Sequence, residues 1–379
     1  MKKTVLAMAV VGALPFAASA QNVSVYGRID TGIQGYSQTT AAGVNSSASR
    51  PGNSLWTTNR FGLMGSEDLG GGLKAEFMLE SGLTFSNGLA GRNSLTSSVS
   101  ASASGVGQTA ATGTTIATQY FTYSYSYSSS QDTFMFDREA WVGISGSFGR
   151  VQLGRVNGMQ TNVDSFVSQA GNFGLVGRIG TTNSDALSDK AGNSVMYTSP
   201  VFNGLQINVG QQLMATNTNV TMTTADGTKT TFYGATYQQG ALKLSAGMAD
   251  KQGAYQEQNN IGASYDFGVA SVGITRATYE IGATEEDQVS ILSAQIPLGT
   301  GLFVNLAYHD AEKKGTSASG AKGTAVVLRK ELSKRTQVHA SYVAVNNESA
   351  GTYTWSALNS STSAGLDQKA ISVGLTHLF

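Results

Sequence analysis

From Val23 to the last residue the chain repeats one pattern, short runs in which apolar and polar side chains alternate with a period of two. Val23, Val25, Gly27, Ile29 and Ile33 share one parity against Ser24, Tyr26, Arg28, Asp30 and Gly32. Leu73, Ala75, Phe77, Leu79 and Leu83 stand against Lys74, Glu76, Met78 and Glu80, so the polar side there is charged. Strand side chains point to opposite faces in turn, and each run therefore makes a strand with one oily and one wet side. Similar runs lie at 61–64, 194–199, 205–211, 232–238, 242–249, 261–265, 269–279, 289–296, 302–308, 324–332 and 338–345. Helical periodicity is almost absent.

The connections alternate between short and long. Short ones, rich in turn formers, fall near 66–72, 146–149, 200–204, 239–240, 266–268, 297–301 and 333–335. Glycine and asparagine there supply positive φ where a tight turn needs it. Seven turns join fourteen strands, and the strands beginning at Val23 and Ala370 bring the expected number to sixteen. This is the topology of an up-and-down antiparallel transmembrane barrel with short periplasmic turns and long external loops. The long connections, about 36–54, 84–133, 156–192 and 215–230, are rich in Gly, Ser, Thr, Ala and Asn and read as solvated. Within 84–133, Tyr123, Tyr125 and Tyr127 alternate with serines; they either extend a strand beyond the membrane, the favoured form, or make a hairpin within the loop.

In the last ten residues, Ile371, Val373, Leu375, His377 and Phe379 oppose Ala370, Ser372, Gly374, Thr376 and Leu378. An edge strand of a soluble sandwich would read similarly. In a barrel this segment is the closing strand, with Phe379 at the seam, because lipid forbids an open edge. At the other end, residues 1–20 carry Lys2 and Lys3, an apolar run and a small-residue pattern at Ala18-Ser19-Ala20. They read as a cleaved signal peptide preceding a single barrel domain over 21–379, with Gln21 as the mature N-terminus. The apolar run is too short for a spanning helix.

Composition excludes several functions. Charged residues are 13%, cysteine is absent and glycine numbers 46. Without Lys2 and Lys3 the chain has 22 basic against 24 acidic residues, about −2 in all, so it lacks the basic excess of a nucleic-acid binder. The three histidines, His309, His339 and His377, are far apart in sequence, and neither a zinc or redox spacing nor a phosphate-loop pattern is present. No cofactor or metal is expected. The acidic run Glu285-Glu286-Asp287 is expected on an external loop, solvated or holding a divalent cation. His309 beside Asp310 is the one adjacent pair from which a barrel hydrolase could be argued, and the long 84–133 connection would suit an adhesin.

Several stretches resemble the trimeric general porins of beta-proteobacterial outer membranes. They are Val25-Tyr-Gly-Arg-Ile-Asp30, the specific Gly65-Ser-Glu-Asp-Leu-Gly-Gly-Gly-Leu-Lys74 within 59–75, Asp137-Arg-Glu-Ala-Trp-Val-Gly-Ile-Ser145, Leu153-Gly-Arg155, Asn193-Ser-Val-Met-Tyr-Thr-Ser-Pro200, Ser264-Tyr-Asp-Phe-Gly268, Leu332-Ser-Lys-Arg-Thr336 and Val373-Gly-Leu-Thr-His-Leu-Phe379. The resemblance implies a sixteen-stranded barrel, three copies per assembly and a third loop, here 156–192, folded into the lumen. A barrel this wide cannot be filled by its own side chains, so a water channel remains for passive diffusion of ions and small hydrophilic solutes. Outer-membrane lipid and lipopolysaccharide would surround it.

In such porins basic wall residues face acidic groups on the inward loop. Arg60 on the second strand and Arg138 on the fourth match the family's wall arginines; Lys190 stands where a third arginine is usual, and Arg28 is a further candidate. Lysine keeps the charge but not the planar fork of a guanidinium. Asp164, Asp185 and Asp189 fall on the inward loop by position and are the candidate opposing acids; loop salt bridges or turn caps are the alternative. Arg60 and Arg138 could also pair with Glu76 or Glu80. The family's arginines around the last histidine are replaced by Thr376 and Leu378, so at most a modest anion preference is expected.

Overall fold

The computed structural model describes residues 22–86, 88–90, 92–100, 105–108, 118–121, 126–158, 166–168, 179–180, 190–213, 229–251, 256–281, 285–355 and 363–379. Among these, sixteen strands form the wall. They begin with β1 (Asn22–Thr39), β2 (Arg60–Gly70), β3 (Leu73–Thr84), β4 (Glu139–Gly146), β5 (Gly149–Asn157) and β6 (Lys190–Thr198). The series continues through β7 (Leu205–Gln212), β8 (Thr230–Gln239), β9 (Leu242–Lys251), β10 (Gln256–Asp266) and β11 (Ser271–Ile281). It ends with β12 (Glu285–Gly299), β13 (Leu302–Lys314), β14 (Ala321–Glu331), β15 (Thr336–Asn347) and β16 (Asp367–Leu378). Each strand pairs antiparallel with its neighbour in sequence, and β16 returns to β1 from Leu378 opposite Arg28 to Asp367 opposite Thr39. The sheet is a closed antiparallel barrel, with no free edge left in the wall.

Phe379 completes the seam. Its backbone exchanges two hydrogen bonds of 3.1 Å with Gly27, and its ring covers Gly27 on the outer face. A Cβ on Gly27 would fall 2.2 Å from the ring's Cζ, so only glycine leaves the aromatic room to lie flat. Around the wall the outward parity is apolar and exposed, as at Val142, Ile144, Ile261, Ile274, Val326, Ile371 and Val373. Aromatic residues collect at the short-turn end, where Tyr265 and Phe267 lie 4.8 Å apart and the Tyr197 hydroxyl donates to the Phe148 carbonyl at 2.7 Å. An apolar band bordered by aromatics is the outer surface of a membrane barrel.

Several connections depart from the sequence reading. The expected loop 36–54 is largely strand: β1 runs on to Thr39, turns, and returns as Asn45–Asn53, paired from Thr39 opposite Asn45 to Thr31 opposite Asn53. Backbone groups at the loop end of β1 are thereby satisfied above the point where β2 takes over. In the 84–133 connection, Arg92–Ser100 pairs with Ser126–Phe134, so Tyr127 belongs to a hairpin within the loop rather than to an extended wall strand; Tyr123 and Tyr125 lie outside the described residues. Glu285, Glu286 and Asp287 open β12 instead of lying on a loop, and Glu286 is held by Lys314 Nζ at 2.8 Å. Strand alternation sends neighbours in that run to opposite faces, which prevents the three carboxylates from converging.

The third long connection enters the barrel where it is described. Val167, fully buried, sits against Gly262 of β10 and Gly273 of β11, both on the lumen face; a Cβ on either would come within 2.5 Å of it. Ile179, also fully buried, pairs with Trp355 of the last external connection and contacts Gly323 of β14. Trp355 and Tyr353 join Ile179 against Ala325, Val327, Val343 and Val345, an inward-facing apolar patch. Two external connections thus pack together on one side of the lumen.

Candidate constriction site

Beyond the closing seam, over β1 to β4, the lumen wall is basic. Arg28 and Arg60 stand directly across the β1–β2 ladder, and Arg60 is opposite Gly82 of β3. Strand parity turns Arg28, Arg60, Glu80 and Tyr26 to the lumen. Gly62, opposite Tyr26, has no side chain, so the tyrosine ring lies across it and its hydroxyl donates to Glu80 Oε2 at 2.9 Å. Arg138 comes from the bend just before β4, not from within the strand as the sequence suggested, and its Nε meets Glu80 Oε1 at 2.5 Å. Arg60 Nη1 reaches Glu80 Oε2 at 3.4 Å and its Nη2 donates to Thr58 Oγ1 at 3.2 Å. The Arg28 Nε donates to the Thr58 carbonyl at 3.4 Å.

Glu80 is therefore the hub of the basic wall. Its side chain is 3% exposed, whereas those of Arg60 and Arg138 keep 22% and 15%. The acid is sealed behind the cations it holds, and the lumen meets guanidinium. A buried carboxylate needs charged partners of this kind to offset its lost hydration. Two guanidinium groups on one carboxylate, with Arg28 beside Arg60 across the ladder, leave a local surplus of positive charge. Of the two acids weighed as arginine partners, Glu80 has the role; Glu76 lies 3.7 Å from Arg150 lower in the wall.

Beyond Glu80, the belt continues through Glu139, its register partner on β4. Glu139 accepts the Trp141 indole N–H at 2.9 Å and the Asn157 amide at 2.6 Å. Lys190, the first residue of β6, stands opposite Asn157. Arg28, Arg60, Arg138 and Lys190 thus lie along one belt over β1 to β6, with Lys190 separated from the arginines by Glu139. Asp164, Asp185 and Asp189 lie outside the described residues.

Tyr26, Thr58 and Glu139 escaped the sequence reading. Tyr26 shares the parity of Arg28, which was a usable signal, but its contact with Glu80 spans 54 positions and needs the register of three strands. His309 is fully buried, receives the Ile179 N–H at 3.4 Å and stacks edge-on with Trp355 at 4.8 Å. Asp310 is exposed on the opposite face, so the adjacent pair does not form an acid–base couple. Among the described residues no group of three His, Cys, Asp or Glu is placed to hold a metal.

Comparison with known proteins agrees with this geometry. A family model described as Gram-negative porin matches residues 6–350. The chain is 29% identical over 399 residues to outer membrane porin protein 32 of Delftia acidovorans, with both chains covered in full. It is 31% identical over 310 residues to an outer membrane porin protein of Bordetella pertussis, covering 73% of this chain and 69% of that one. Among solved structures, the anion-selective porin from Comamonas acidovorans superposes with a TM-score of 0.69 at 25% identity, over 95% of this chain and all of the other. The closed sixteen-stranded barrel, the inward third connection and the matched length place the chain in one family: it belongs to the Gram-negative porins.

Proposed function

We propose that this outer-membrane porin is a passive diffusion channel whose narrowest section sorts small hydrophilic solutes and ions by size and then by charge, with at most a modest preference for anions. The cluster of Arg28, Arg60 and Arg138 around the sealed Glu80 carries the charge reading, because it presents cations to the lumen and hides the acid. Lys190 adds a charge farther along the belt. The name of the Comamonas acidovorans relative as anion-selective supports the same sign. Thr376 and Leu378 at the periplasmic end add no positive charge, which keeps the preference modest.

Asp164, Asp185 and Asp189 are proposed as the facing acids on the inward connection. Three copies of the chain form the working assembly, set in outer-membrane lipid and lipopolysaccharide, after removal of residues 1–20. Chemistry is not part of the function: the buried His309 serves packing. Liposomes carrying the purified protein test the size reading. They should swell in isosmotic solutions of small neutral solutes at rates that fall with solute size; absence of swelling from folded protein would contradict it.

A further inference from the structure

The lumen holds a second polar feature beside the arginine cluster. A pocket of about 350 Å³ lies against the lumen wall from β3 to β8, with Trp141, Met78 and Met196 on the wall and Phe166 of the inward connection at its side. That volume is in the range of small-molecule sites, as is the mixture of apolar surface with a few fixed polar groups.

Those polar groups present both fixed acceptors and donors: the Thr198 hydroxyl donates to Asn208 Oδ1 at 2.9 Å, which leaves the Asn208 amide as a donor. Asn157 donates its amide to Glu139, and a carboxylate only accepts, so the amide orientation is fixed with Oδ1 turned away. That oxygen is buried and has no hydrogen-bond partner among the described residues. Gln206 is fixed in the same manner: its Nε2 donates to the Ser199 carbonyl at 3.2 Å, which leaves Oε1 as an acceptor. Both oxygens of Glu139 already accept hydrogen bonds yet retain lone pairs. The pocket's one cation, Arg150, lies 3.7 Å from Glu76 and 5.9 Å from the Trp141 ring. An anion brings acceptors only and would leave Asn157 Oδ1 unsatisfied. A polyol, whose hydroxyls both donate and accept, meets Asn157 Oδ1 and Gln206 Oε1 as well as the Asn208 amide while laying an apolar face on Trp141.

We infer that this pocket is a transit subsite for neutral polyhydroxylated solutes of pyranose size, lying directly after the anion-favouring arginine cluster. The inference rests on the channel reading and adds a substrate class to it. Recessed acceptors at Asn157 and Gln206 bind hydroxyl donors, and the aromatic and thioether wall takes the C–H face of the ring. Anions, which cannot donate to Asn157 and Gln206, pass the pocket without being held there.

The test uses the purified porin in planar bilayers with glucose added to potassium chloride. Glucose should reduce the single-channel current saturably, beyond the linear fall caused by lower bulk conductivity. Diethylene glycol dimethyl ether, of similar size with acceptors only, should give the linear fall alone. In Asn157→Leu and Gln206→Leu, with currents normalised to each variant's sugar-free steps, the half-saturating glucose concentration should rise about fivefold, the equivalent of one lost hydrogen bond. A linear fall in the wild type, saturable block by the ether, or half-saturation unchanged in both variants would overturn the subsite. Failure of the channel reading is distinguishable, because it would appear as absence of current steps before any sugar is added.

Discussion

Asp30 and His339 stand 3.3 Å apart across β16, on strands β1 and β15 that do not pair with one another, and neither side chain is exposed. The same carboxylate accepts the backbone N–H groups of Leu55, Trp56 and Thr57 at 3.2, 3.0 and 2.8 Å, and the Thr376 hydroxyl at 3.1 Å. One inward-facing acid thus ties the closing seam to the segment that leads into β2. Asp30→Ala leaves the buried N–H groups of Leu55 and Thr57 and the half-buried one of Trp56 unsatisfied, each buried group costing about 1–3 kcal/mol. The variant should unfold at a clearly lower temperature, read as the temperature at which the folded gel band disappears. Asp30→Asn, which retains one acceptor oxygen, should fall between the two.

Glu80 neutralises part of the charge that Arg60 and Arg138 show to the lumen. Glu80→Gln should strengthen anion preference, and Arg60→Ala or Arg138→Ala should weaken it. Reversal potentials in a dilute salt gradient should report changes of about twofold to fivefold in the permeability ratio, shrinking in concentrated salt as screening shortens the reach of each charge. Equal shifts in one direction for all three variants would contradict the hub arrangement.

Val167 anchors the inward connection on two glycines. In Gly273→Ala the new methyl would start 2.5 Å from the Val167 carbonyl oxygen, a backbone atom, so the connection must move. Overpacking of this sort costs about 1–3 kcal/mol, borne by the docked connection rather than by the strand ladder. Single-channel conductance should rise while the thermal stability of the barrel stays near wild type.

Trp355, fully buried, holds Ile179 and stacks on His309. Trp355→Ala removes a large core side chain, a loss of about 3–5 kcal/mol at a buried site. Because the indole joins two external connections and not two wall strands, the barrel should persist while those connections become susceptible to added protease.

The wall was legible in the sequence because membrane strands obey a strict two-residue period, and because six of the seven short turns carry a Gly, Pro or Asn signal, Ser333-Lys334-Arg335 being the exception. The seam at Phe379 and the sixteen-strand count follow from that. The lumen was less legible. Ala325, Val327, Val343 and Val345 face inward yet are apolar, since Trp355 and Ile179 cover them, and a parity rule of polar inside and oily outside does not anticipate loops that bury part of the inner face. The return strand Asn45–Asn53 lacks alternation and follows from its pairing to β1 rather than from its own residues. Arg28, Arg60 and Arg138 were identifiable as wall residues and Glu80 as one of two possible partners, but the choice of Glu80 over Glu76 needed the ladders of β1, β2, β3 and β4 to be aligned.

A water-filled pore with a basic constriction sets the sign of the reversal potential of single channels under a salt gradient. Purified protein in a planar bilayer should give large ohmic steps, with a zero-current potential displaced modestly toward the equilibrium potential of the anion. A displacement toward that of the cation, or no steps at all from protein shown to be a folded barrel, would contradict it.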